Sequence, residues 1–230
     1  MADAPENSHL PFIGYVETTM DALRVIQAAF LGVIPRVAHR LNELERKSYV
    51  TSGSVFVFQT EESGIQRWTD GLFWSPSRVD GNFLLYVQMS DRLAGKRSHA
   101  KKSPHSGSLK MSLVEKANGL RKRTFSINIK GIVLHLISYF TPEDIQSNRL
   151  MRPSLRPDIM DLHLCPTIFR LDGLRVQPVV VIGVDSAAKF VEIEESDSVH
   201  LTAISRQKDT SDDYLVPAQL LGSSQQKATN

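Results

Sequence analysis

Apolar and polar positions alternate with different periods along the chain, and the periods define its elements. Ala22, Val25, Ile26, Ala29 and Phe30 recur at helical spacing, which predicts a helix with one buried face. Thr18 or Thr19 caps its start, Asp21 stands at the positive end of its dipole, and Gly32 and Pro35 end it. Asn42 caps a short second helix through Arg46, with Leu44 and Tyr49 as its core contacts. Ser52-Gly53-Ser54 is a turn, and Val55–Phe58 is a β-branched and aromatic run that reads as a buried strand. The apolar stretch from Asn82 to Met89 fits either a helix or a strand. Phe125, Ile127 and Ile129 alternate with Thr124, Ser126 and Asn128, the period of a half-buried strand. Lys130-Gly131 turns the chain, and Ile132 to Phe140 completes a β-hairpin. Thr141-Pro142-Glu143-Asp144 starts another short helix, expected to end near Arg149.

Between these periodic segments lie stretches of other kinds. Ser63 to Arg78 contains both tryptophans, Trp68 and Trp74, together with Gly64, Gly71 and Pro76. Gly and Pro interrupt it too often for a helix or strand, so it predicts a shaped loop anchored by its aromatics, and such loops carry function. Residues 90–118 are rich in Lys, Arg, Ser, His, Pro and Gly without periodicity, the composition of a flexible linker. Residues 1–11 are polar and read as disordered. After Pro157, Val179–Ile182, Phe190–Ile193 and Val199–Ile204 have strand composition; residues 151–204 form an extension whose candidate strands make an extra hairpin or pack loosely on the main domain. Residues 205–230 read as a disordered tail.

Charge changes this picture more than composition does. The net charge of +2 hides a basic middle: from Arg92 to Lys130 the only acid is Glu115, while acids gather towards the C-terminus. Such a patch attracts phosphates. A single cysteine, Cys165, excludes an internal disulfide and a cysteine-rich zinc site, and the histidines lack metal-ligand spacing. The first residues lack the features of a secretory signal, and no apolar run approaches the ~18–20 residues that span a bilayer. The expectation is a soluble intracellular protein without a membrane partner. No nucleophile elbow, phosphate-binding glycine loop or zinc-ligand pair is present, and His135 reads as a packed strand histidine. No enzymatic activity, cofactor, metal or small-molecule substrate is expected.

Several irregular motifs occur in a telling order. Gly14-Tyr15-Val16-Glu17-Thr18-Thr19, Arg40-Leu41-Asn42-Glu43, Ser52 to Phe58, Glu62-Ser63-Gly64-Ile65, Arg67-Trp68-Thr69-Asp70-Gly71 and Trp74-Ser75-Pro76-Ser77-Arg78 resemble the first box of the WOPR domain. That domain is the DNA-binding module of fungal regulators of morphological switching and sporulation. Gly119-Leu120, Arg123-Thr124-Phe125-Ser126 and His135 to Phe140 resemble its second box. The resemblance covers roughly residues 12–150, as box one (12–89), a basic linker (90–118) and box two (119–150). It implies a single intertwined α+β domain with an antiparallel β-sheet core flanked by a few helices, in which neither box folds alone. It also implies a nuclear, sequence-specific transcription regulator whose partner is double-stranded DNA, with Ser63 to Gly71 entering an A·T-rich minor groove. The alternative is a degenerate member that keeps the fold and acts mainly by binding other transcription regulators. The family carries a basic residue where this chain has Gln66.

The candidate contacts each have a structural alternative. Gln66, Arg67 and Thr69 are donors suited to the acceptors on A·T base edges, with Ser63 and Gly64 at the start of the loop. Arg67 could instead pair with Glu61 or Asp70. Trp68 and Trp74 either pack in the core or touch the sugar-phosphate backbone, and Asp70 orients a neighbour. Arg78 contacts phosphate or bridges to the sheet. Arg36 and Arg40 face the DNA backbone or form a solvated helical face. Arg121-Lys122-Arg123 binds phosphates, contributes to nuclear import, or makes Thr124 a candidate phosphosite for a basophilic kinase. Lys96-Arg97 with Lys101-Lys102 resembles a bipartite import signal.

Overall fold

The two strands of the predicted hairpin, β7 (Arg121–Ile129) and β8 (Ile132–Phe140), form the centre of the molecule, with Arg121 opposite Phe140 and Ile129 opposite Ile132. In this computed structural model the described residues are 10–91, 113–184 and 186–191, all within a unit that runs to Val191. The second unit, Glu192–Asn230, lies outside the described residues. Each edge of the hairpin is completed from earlier in the chain. β2 (Ser54–Gln59) pairs antiparallel with β8, placing Val57 opposite Leu136. β5 (Phe83–Asp91) pairs with β7, placing Leu85 opposite Arg123. β1 (Phe12–Ile13) extends the sheet beyond β2, while β3 (Phe73–Trp74), β4 (Arg78–Asp80) and β6 (Leu113–Glu115) all pair with β5. The second segment is thus inserted between two strands of the first. This is the α+β, antiparallel arrangement that the family resemblance implies.

Strand alternation sends side chains to opposite faces. On one face Val55, Val57, Phe125, Ile127, Ile129, Leu134 and Leu136 meet helix α1 (Thr19–Phe30). Thr18 caps α1: its hydroxyl accepts from the Asp21 N–H at 3.1 Å, and Asp21 accepts from the Thr18 N–H at 3.0 Å. Every residue from Asp21 to Ala29 is buried, rather than the single face that the periodicity predicts. The reason lies after residue 150. A run of short turns, including α5 (Pro157–Met160), covers the outer side of α1 and inserts Ile159 and Phe169 into the same core. Gln27 donates to the His163 carbonyl at 2.7 Å, and Arg152 pairs with Asp21 and Glu17 at 3.0 Å each. Asn82 binds both the N–H and the carbonyl of Val176. This part of the extension therefore completes the core. The short antiparallel pair β9 (Val180–Ile182) and β10 (Ala188–Phe190) follows.

The other face carries a second apolar cluster: Phe56, Phe58, Ile137 and Tyr139 from the sheet, with Val37, Leu41, Val50 and Ile65. Helix α2 (Glu43–Tyr49), capped by Asn42, borders it through Tyr49. Leu44 is not a core contact: it is 75% exposed, because a seven-residue helix with no buried residue leaves this position facing water. The ambiguous stretch from Asn82 is strand, and β5 and β6 take residues 90–91 and 113–115 from the segment read as linker. The helix after Thr141, α4 (Pro142–Gln146), stops short of Arg149. Lys96, Arg97, Lys101, Lys102 and the strand expected at Val199–Ile204 lie outside the described residues.

Candidate nucleic-acid interface

The tryptophan loop leaves the sheet through a single turn, α3 (Thr60–Ser63), directly after β2. Ser63 Oγ donates to the Gln59 carbonyl at 2.6 Å and accepts from the Ile65 N–H at 3.2 Å, so its side chain shapes the exit. Gly64 has φ of 68° and Gly71 has φ of 78°, left-handed conformations that suit glycine. Between them the side chains alternate. Ile65 is 2% exposed in the second cluster, Trp68 is half-buried and Asp70 is buried, whereas Gln66, Arg67 and Thr69 face water.

Trp68 is an anchor. Its indole stacks on Phe58 with centroids 5.5 Å apart and an interplanar angle of 18°, lies 5.0 Å from Phe56, and donates from Nε1 to the Tyr139 hydroxyl at 2.7 Å. Asp70 is the second anchor. Its carboxylate accepts from the Leu72 N–H at 3.0 Å, Trp74 Nε1 at 2.9 Å, Lys122 Nζ at 2.9 Å and the Tyr139 hydroxyl at 2.7 Å. Burial opposes the charged form of Asp70, but the hydrogen bonds from Trp74, Lys122 and Tyr139 outweigh it and hold the carboxyl below the usual carboxylate range. Burial also pulls the Lys122 ammonium below its ordinary value, against the hydrogen bond and charge of Asp70. Burial, with the adjacent Asp70 charge, pushes the Tyr139 hydroxyl well above its ordinary value, so it remains a donor. The ammonium also sits 4.2 Å from the centre of the Trp74 ring.

The predicted basic contacts divide into free and committed groups. Arg67 and Gln66 have no side-chain partner among the described residues, so Arg67 pairs with neither Glu61 nor Asp70. Exposed Arg40 and Arg78, the latter on β4, likewise have no side-chain partner there. Arg36 is committed: Nε and Nη2 grip Glu62 at 2.7 and 3.1 Å, and Nη1 donates to the Ala29 carbonyl. The run Arg121-Lys122-Arg123 does not form one patch, because consecutive strand residues point to opposite faces. Lys122 is 8% exposed and bound to Asp70, which removes it from a phosphate-binding surface. Arg123 passes to the α1 side, donating to Asp80 at 2.7 Å and to the Glu17 carbonyl at 3.0 Å. Arg121 pairs with Glu115 at 2.6 Å. Thr124 is half-buried in the middle of β7, between Leu84 and Ile137, a poor position for a kinase to reach.

Two features escape a reading of the sequence. One is Tyr139, whose hydroxyl joins the two loop anchors; a tyrosine in an apolar strand gives no such signal. The other is a cleft of about 480 Å³ beside the loop, between Glu43, Arg46, Lys47 and Val50 on one side and Asp70–Leu72 on the other. Among the described residues there is no cluster of metal-ligating side chains, and no helix is long and apolar enough to cross a membrane.

The sequence matches the Gti1/Pac2 family over residues 11–115 and 96–141. It is 36% identical to the global transcription regulator FGP1 of Gibberella zeae, over 61% of this chain and 54% of that protein. It is 34% identical to the global transcription regulator sge1 of Gibberella moniliformis, over 61% of this chain and 56% of that protein. The chain spans about half the length of these curated relatives. Among solved structures, it resembles the WOPR domain of Wor1 from Candida albicans in complex with a 13bp dsDNA, with a TM-score of 0.53 and 34% identity over 69% of this chain and 94% of that one. With the family match running through both segments of the sheet, the chain belongs to the Gti1/Pac2 family, whose fold is the WOPR domain.

Proposed function

We propose that this protein is a nuclear, sequence-specific DNA-binding transcription regulator, and that its Ser63–Gly71 loop enters the minor groove of A·T-rich DNA. One observation carries the reading. Arg67, with Gln66 and Thr69 exposed beside it, projects without a protein partner among the described residues from a loop held by buried Ile65 before it and by Trp68 and Asp70 after it. An A·T-rich minor groove is narrow and strongly negative, which favours an inserted guanidinium. Its edges present the acceptors adenine N3 and thymine O2, and all three exposed side chains can donate. Fixing the loop in advance lowers the ordering cost of binding. The names of the relatives, and the DNA-bound state of the Wor1 domain, support the same class of function.

In this reading Arg40 and Arg78, exposed and without a side-chain partner among the described residues, contact phosphates, while Arg36, through Glu62, shapes the base of the loop. Gln66 reads sugar or base edge without neutralising a phosphate. A second reading, protein interaction without DNA, draws on the exposed apolar run Val179–Ile182. Selection of bound sequences from a random duplex library separates the two. Enrichment of an A·T-rich motif, with affinity falling steeply as salt rises, is the expected result. Absence of enrichment would favour protein interaction.

A further inference from the structure

The polar cluster beneath the loop is larger than packing alone requires. Taking a lysine and a carboxylate out of water costs about as much as their attraction returns, and well-packed apolar side chains would hold the sheet at least as firmly. What the cluster adds is direction. Asp70 gathers donors from Leu72, Trp74, Lys122 and Tyr139, and the Tyr139 oxygen in turn accepts from Trp68. These bonds fix the chain just before and just after Thr69, with Arg67 adjacent to the first fixed point. Lys122 and Tyr139 lie on the central hairpin, whereas the loop comes from the other sequence box. A small shift of the loop would break several charge-assisted bonds together.

Resting on the minor-groove reading above, we propose that Lys122, acting with Tyr139, is a positioning residue for base recognition. It holds Asp70, and through it the Gln66–Thr69 tip, at the place over the sheet from which Arg67 enters the groove. Its ammonium touches no DNA. Attraction to phosphates depends mainly on charge, whereas a base edge is met only from the right place. Loss of Lys122 therefore weakens binding to the preferred site more than binding to random duplex.

The test titrates the full chain with an A·T-rich duplex and a scrambled duplex over a range of salt, comparing wild type with Lys122→Met, Lys122→Arg and Tyr139→Phe. The affinity ratio between duplexes is the readout, because partial unfolding lowers the active fraction equally for both. Lys122→Met is expected to lower the ratio about tenfold and Tyr139→Phe about threefold, since the first removes both a counter-charge and a hydrogen bond of Asp70 and the second a hydrogen bond alone. Lys122→Arg retains most of the ratio, and the salt slope is unchanged throughout. A wild-type ratio in Lys122→Met, or in Tyr139→Phe should the former not fold, overturns the proposal. So does a slope reduced by about one with the ratio intact, which would make Lys122 a phosphate contact. Absence of discrimination by the wild-type chain instead overturns the minor-groove reading on which the proposal rests.

Discussion

On one face of the central sheet, Val55, Val57, Phe125, Ile127 and Leu136 meet α1 and the turns after residue 150; on the other, Phe56, Phe58, Ile137 and Tyr139 support a loop through aromatic stacking and a buried ion pair. The first face resembles an ordinary interior. The sheet side chains at its centre are apolar, although Asp21, Gln27 and Arg123 find polar partners on the same side, and its largest contributions come from area removed from water. The second face spends part of that burial on polar groups with fixed partners, and it exposes the side chains between them. Non-directional burial stabilises the fold, while directional bonds set where a loop tip stands. The contrast explains why Asp70 and Lys122 occur together below exposed Arg67 rather than in the α1 core.

Substitutions on the two faces should have different consequences. Phe169 is 7% exposed in the α1 core, and Phe169→Ala is expected to cost about 3–5 kcal/mol in urea unfolding. The molecules that remain folded should still discriminate between duplexes. A loss below about 1 kcal/mol would show that the segment after residue 150 does not complete the core.

Asp70→Asn has a smaller expected cost, about 2–3 kcal/mol, because the amide keeps some hydrogen bonds but leaves Lys122 without its counter-charge. It also changes the response to acid. The Asp70 carboxyl lies below its ordinary value in the folded protein, so its stabilisation is complete above the ordinary carboxylate pKa. That contribution is lost as pH falls through the lower folded-state value. Wild type should therefore lose more stability than Asp70→Asn between about pH 4 and the folded-state value. Parallel curves in chemical unfolding over that window would remove Asp70 from the acid response.

What could be anticipated from the sequence was local. The capping boxes at Thr18 and Asn42, the Lys130-Gly131 hairpin and the breaks at Gly64 and Gly71 are written in neighbouring residues. Insertion of that hairpin between β2 and β5 depends on pairings far apart in the chain; the family resemblance implies a sheet shared by the two boxes but not this strand order. The turns that carry Ile159 and Phe169 have no periodicity, so their place in the core was hidden. Leu44 shows the converse, an apolar residue at helical spacing with nothing to cover it. At the site, Gln66, Arg67 and Thr69 are exposed, and their contact with base edges is the proposal made above. The basic run Arg121–Arg123 is contiguous in sequence but not in space, because a strand sends neighbours to opposite faces and here gives each cation its own acceptor.

Arg67→Ala gives the smallest expected change in stability, within about 0.5 kcal/mol, and the largest expected change in recognition. The decisive measurement is the ratio of affinities for an A·T-rich duplex and a random duplex, taken for wild type and Arg67→Ala at matched salt. The loop-reading account predicts that wild type discriminates and that the variant binds both duplexes nearly alike while unfolding at the same urea concentration. Unchanged discrimination in a folded Arg67→Ala variant would contradict it and place base recognition elsewhere on the protein.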